Sequence, residues 1–123
     1  MRRTARGQAL VELTLLLPLL VLLVMGAIDF GRLYFSYTTI ANAAREGAMC
    51  ASLGDACPAG AVGAASAEVS GTLPGGVTTT VAGGGASGST VKVTVRYNFQ
   101  AVTTAVLGTS TFPIQASASM VVQ

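Results

Sequence analysis

A chain of 123 residues, 51% apolar, with 15 glycines, two cysteines and no histidine, has room for one small domain besides a membrane segment. Taking Arg2, Arg3 and Arg6 from a net charge of +2 leaves −1, so the basic excess is a short N-terminal arm. Downstream only Lys92 and Arg96 lie close together, which excludes a phosphate-tracking surface and with it nucleic-acid binding. Asp29, Glu46, Asp55 and Glu68 are scattered without a recognisable partner, and no nucleophile–base pair or metal-ligand cluster accompanies them. The reading is a non-enzyme, with no cofactor, metal or small-molecule substrate.

Residues 9–28 are an almost unbroken apolar run, long enough to cross a hydrocarbon core of ~30 Å as a helix of about 20 residues. Pro18 lies in its middle, where membrane helices tolerate proline, and predicts a kink or loosened turn around Thr14. Glu12 is the exception inside the run. A charged side chain at a membrane helix centre costs about 2.5–3.5 kcal/mol and marks a functional candidate. The alternative is that Glu12, in the second helical turn near the headgroups, simply complements the helix N-terminal dipole.

The helix is expected to continue past the membrane to about Ala48, on the order of 60 Å in all. Phe30, Leu33, Tyr34, Tyr37, Ala41, Ala44 and Ala48 recur at three- and four-residue spacing as an apolar stripe, with Asp29, Arg32, Asn42, Arg45 and Glu46 at the polar positions. Phe30, Tyr34 and Tyr37 read as interface anchors or helix-packing residues, with a partner contact as the alternative.

Gly54-Asp55, Cys57-Pro58 and Gly60 break the helix. Residues 61–73 suit a short Ala-rich helix with Val62, Ala65, Val69 and Leu73 on its packed side, closed by Pro74-Gly75-Gly76. Residues 77–82 read as a strand, 83–89 as a flexible hairpin turn, and 90–100 as the clearest strand of the chain. There Val91, Val93, Val95, Tyr97 and Phe99 alternate with Lys92, Thr94, Arg96, Asn98 and Gln100. Residues 101–111 are a loop or a short helix, and 113–122 a closing strand with Ile114, Ala116, Ala118, Met120 and Val122 on one face. The expected fold is α+β: a long N-terminal transmembrane helix, a small helix and a three-stranded antiparallel sheet.

The basic arm predicts a cytoplasmic N-terminus and a translocated C-terminal domain. A secretory signal peptide would also begin this way, but its small-residue site would be Ala41-Asn42-Ala43, too far beyond the apolar core. In a translocated domain Cys50 and Cys57 are expected to form a disulfide, with two free thiols as the alternative. Their spacing without histidine is not a zinc pattern.

Three blocks in order carry a family resemblance: Arg6-Gly7-Gln8-Ala9-Leu10-Val11-Glu12-Leu13, Gly26-Ala27-Ile28-Asp29-Phe30-Gly31-Arg32-Leu33 and Asn42-Ala43-Ala44-Arg45-Glu46-Gly47-Ala48. With the proline-bearing leucine run between them, they resemble the TadE-like family, pseudopilins of the Tad (tight adherence, Flp-type) pilus assembly systems of bacteria. The resemblance covers roughly the first fifty residues. It implies a type IV pilin-like fold and cleavage between Gly7 and Gln8 by a membrane prepilin peptidase, leaving Glu12 as the fifth mature residue, where the pilin superfamily places a glutamate. Leu13 stands where the major Tad pilins usually have tyrosine, which points to a minor pilin or pseudopilin.

The implied layout is a leader at 1–7, a transmembrane helix at 8–28, its extramembrane continuation at 29–53 and a small periplasmic or extracellular α+β domain at 54–123. The implied partners are the prepilin peptidase, inner-membrane platform proteins and other pseudopilins or pilins. The chain would be single-pass in the bacterial inner membrane, with or without incorporation in a pilus. Cleavage would discard the three arginines and create an ammonium on Gln8, with a reference pKa of about 8, that could pair with Glu12 of an adjacent subunit. The rivals are an unprocessed signal-anchored surface protein and a minor pseudopilin of a type II secretion system.

Overall fold

The computed structural model describes residues 4–108 and 111–123. Arg2 and Arg3 of the basic arm, and Thr109 and Ser110 after the second hydrophobic strand, lie outside the described residues. The fold is α+β: one long helix, a short helix and a three-stranded antiparallel sheet.

Helix α1 spans Thr4–Ser52, 49 residues and therefore about 73 Å. It exceeds the expected span at both ends. Pro18 lies inside without ending it, and one turn earlier the Thr14 hydroxyl donates to the Val11 carbonyl at 2.8 Å. The helix stops where Gly54 takes a φ of +55°, a left-handed conformation that favours glycine. A single 3-10 turn, Gly54–Ala56, then leads to Cys57, which is joined to Cys50 in a disulfide with Cα atoms 5.4 Å apart. For so short a loop, chain-entropy arguments give about 2 kcal/mol.

Helix α2 spans Gly60–Val69 and is shorter than the expected 61–73. Ser70 leaves helical geometry, and a turn with Thr72 and Leu73 amides donating to the Val69 carbonyl still brings Leu73 into the core. Val62 is exposed, contrary to expectation. The packed face starts instead at Ala61, whose carbonyl lies against Gly47 of α1.

Strands β1 (Thr78–Gly83), β2 (Thr90–Phe99) and β3 (Phe112–Val121) pair in sequence order, each neighbour antiparallel. The register sets Val81 opposite Val93, and Val95 opposite Ala116. The alternation of β2 is realised: Val91, Val93, Val95, Tyr97 and Phe99 are buried against the helices. Arg96 lies on the open face, where its Nε donates to Gln115 of β3 at 2.9 Å. Between β2 and β3, a four-residue helix α3 (Thr104–Leu107) ends at Gly108, with φ +68°.

The face of α1 that meets the sheet is not the aromatic one. Ile40, Ala43, Ala44 and Ala48 are fully buried, and Ser36 and Asp29 continue the line toward the apolar end of the helix. Phe30, Tyr34 and Tyr37 are 72%, 65% and 50% exposed. The aromatic members of the expected stripe therefore point away from the domain, and only its Leu33 and alanine members join the packing. Small side chains permit the close approach. A β-carbon on Gly47 would sit 2.9 Å from the Ala61 carbonyl oxygen and 3.1 Å from Val93 Cγ1.

Two contacts fix the axial alignment of sheet and helix. Val93 lies beside Gly47, and the Phe99 ring lies under the Arg32 guanidinium at 5.6 Å. The interval is about 20 Å of strand and about 22 Å of helix, so β2 runs back along α1 toward its apolar end.

Candidate functional site

At the N-terminal end the helix is already formed where processing was expected. Gly7 and Gln8 lie in its first turns, exposed, with nothing within 4 Å of a β-carbon built on Gly7. The Gln8 side-chain amide donates to Glu12 Oε1 at 3.4 Å, one turn along the same face. Glu12 is exposed, and none of the most apolar 18-residue window of the helix is buried within the chain. Gly7, Gln8 and Glu12 thus form one short surface strip at the start of a free apolar rod. Cutting between residues 7 and 8 requires local unwinding, which a first-turn glycine eases by about 1 kcal/mol relative to alanine.

The structure adds a site that the sequence reading missed. Asp29, expected on the polar face, is 8% exposed and accepts three hydrogen bonds from a turn more than seventy residues later in the chain. The Val102 amide donates to Oδ1 at 2.7 Å, the Thr103 amide to Oδ2 at 2.8 Å and the Thr103 hydroxyl to Oδ2 at 2.7 Å. Arg32 approaches Oδ1 at 3.6 Å. The Thr103 amide and then the Val102 amide hold the carboxyl below its ordinary value of 3.8, against the opposing effect of burial, with smaller help from the Thr103 hydroxyl and Arg32.

This arrangement ties the end of β2 and the turn before α3 to the helix where the apolar run ends. A sequence signal existed: Asp29, Leu33, Ser36 and Ile40 are spaced four, three and four apart, on one helical face. The donors could not be foreseen, because they lie in a segment whose form the sequence left open.

Because the folded pKa is lowered, the stabilisation from Asp29 is fully present above about pH 4 and is lost as pH falls through the folded value. Asp29→Asn, which offers a donor where an acceptor is needed, is expected to lower the thermal midpoint at neutral pH. The gap between the two proteins should narrow in acid. A gap that stays constant down to pH 2 would remove the carboxylate from this account.

A family model described as TadE-like protein matches residues 7–49, the family that the three sequence blocks resemble. No curated protein and no solved structure matches the chain.

Proposed function

We propose that this chain, TadE-like from residue 7 to residue 49, is a pseudopilin or minor pilin that takes part in assembling a Tad/Flp-type pilus after prepilin-peptidase cleavage between Gly7 and Gln8. The observation that carries the reading is the pairing of that family segment with an apolar rod its own domain leaves uncovered. Residues 4–28 extend for about 37 Å ahead of Asp29, the first buried residue among those whose side chains are described. Such a surface requires lipid, neighbouring helices, or both in turn.

A subunit that starts in a bilayer and moves into a helical bundle needs this shape. The rod exchanges lipid for other subunits while the domain, fastened at Asp29 and along Ile40 to Ala48, travels with it unchanged. The N-terminus lies in the cytoplasm and the domain in the periplasm, with α1 crossing the inner membrane once. Partners are the prepilin peptidase, inner-membrane platform proteins and fellow pseudopilins or pilins.

The deciding experiment is the N-terminal residue of the protein from cells with and without the peptidase. Gln8 is expected with it and the uncut leader without it. A leader retained in both strains would favour the unprocessed surface anchor.

A further inference from the structure

The end of the domain nearest the apolar rod carries exposed hydrophobic side chains that the core does not use. Val102 and Val106, in the turn before α3 and in α3 itself, are 42% and 60% exposed. Phe112, at the start of β3 opposite Phe99, is 53% exposed. Val102 is held at the helical level of Asp29 by its own amide bond to that carboxylate. Phe99, and Phe112 paired with it, stand at the level of Arg32.

These levels can be set against a bilayer. If the hydrocarbon ends with the apolar run at Ile28, Asp29 to Arg32 occupy the next ~6 Å. A headgroup layer is about 5–8 Å thick on each side of the core. Val102, with α3 directly after it, and Phe112 then lie within the headgroup layer instead of in bulk water.

With Asp29 buried, the exposed charge at that level belongs to Arg32. A groove of about 670 Å³ is lined by Arg32 of α1, the turn at Pro74 to Gly76 and the end of β2, and among the described residues Arg32 and Arg96 are its charged lining. Arg32 keeps 48% of its side chain exposed despite its contacts with Asp29 and Phe99. Arg96 has its Nε fixed by Gln115 on the sheet's open face and, three residues before Phe99, stands about 10 Å farther from the apolar run, so Arg32 is the cation nearest the rim.

We propose that this rim is a second membrane contact: Val102, Val106 and Phe112 seat in the interface of the bilayer that α1 crosses, and Arg32 binds the phosphates of anionic lipids. Continuity with the apolar rod and charge complementarity select lipid as the occupant. The consequence is that the domain is held down on the membrane around its helix instead of standing above it on a free stalk. The Asp29 hydrogen bonds carry that contact, because they fix the turn bearing Val102 and Val106 to the exit of the helix.

The inference rests on the reading that α1 spans a membrane, so the test reports on both. Full-length protein carrying one introduced cysteine, Val106→Cys, Val62→Cys or Leu20→Cys, is labelled with a fluorophore and placed in nanodiscs of phosphatidylcholine with 30% phosphatidylglycerol. Cys50 and Cys57 are joined and do not compete for label.

Nitroxide lipids with the spin group high on the acyl chain are expected to quench the Val106 label at least twofold more than the label at Val62, which is exposed on α2. Deep nitroxides should quench the Leu20 label. Deep quenching at Leu20 with equal, weak quenching at Val106 and Val62 overturns the rim contact and leaves the spanning helix intact. No deep quenching at Leu20 overturns the spanning helix, and the rim contact with it. In discs of phosphatidylcholine alone Val106 quenching should fall at least twofold, and an unchanged value overturns the contact with anionic lipid.

Discussion

Gly47→Leu is expected to prevent the sheet and α2 from closing on α1, and the single added carbon of Gly47→Ala to destabilise the domain by about 1–3 kcal/mol. The sign is not obvious, because alanine is a better helix former than glycine by about 1 kcal/mol. Geometry decides against that gain. The new β-carbon would meet the Ala61 carbonyl oxygen at 2.9 Å, Val93 Cγ1 at 3.1 Å and Ala65 Cβ at 3.2 Å, so it presses on both α2 and the sheet. A backbone carbonyl inside a helix cannot turn aside as the end of a lysine would.

Gly31 supplies the contrast. It lies in the same helix with nothing within 4 Å, so Gly31→Ala should be neutral or stabilising by up to about 1 kcal/mol. Thermal or denaturant unfolding of the full chain in detergent separates the two. Equal effects at the two glycines would mean that the approach at Gly47 is not tight.

That close approach also explains what the sequence concealed. Counting large apolar residues at helical spacing selects Phe30, Tyr34 and Tyr37, because hydrophobicity usually marks the buried face. Here the sheet comes so near α1 that Ala43, Ala44, Gly47 and Ala48 fill the interface, and the aromatics are left on the outer flank. A hydrophobic count gives such small residues little weight.

β2 was legible because strand periodicity needs no knowledge of the partner: alternate residues of 91–99 must share a face whatever covers it. Asp29 was illegible for the opposite reason. Its burial depends on two amides and a hydroxyl supplied from residues 102 and 103, and a buried carboxylate without them would be strongly disfavoured. At the N-terminal end the sequence said more than the fold does. Gly7, Gln8 and Glu12 acquire meaning from the family segment, while the isolated chain shows only a helix with a polar strip.

Glu12→Gln is expected to leave the proposed processing at Gly7 intact and to lower incorporation of the mature protein into the proposed complex by about a hundredfold or more. The proposed cleavage replaces a neutral amide at residue 8 by an ammonium, one turn from Glu12 in its own helix and within reach of Glu12 in a neighbour. Among packed helices, removing one partner of a buried ion pair costs about 3–5 kcal/mol, since the other charge stays desolvated. Each 1.4 kcal/mol is a factor of ten, which sets the expected loss.

The present contact, Gln8 amide to Glu12 at 3.4 Å, is long and exposed, so little opposes exchanging it for a charged partner. Crosslinking or co-purification with the proposed partner pilins or pseudopilins would measure incorporation, and undiminished incorporation of E12Q would dismiss the pair. A mature glutamine can also cyclise to pyroglutamate and lose its amine. Gln8→Ala keeps the amine and cannot cyclise. It should therefore assemble at least as well as the wild type, whereas a charge-independent role for Glu12 predicts no difference between an amine and a cyclised end. Mass spectrometry of the assembled and unassembled pools then reads the same chemistry twice: cyclised chains should be depleted from the complex if the ammonium is what Glu12 receives.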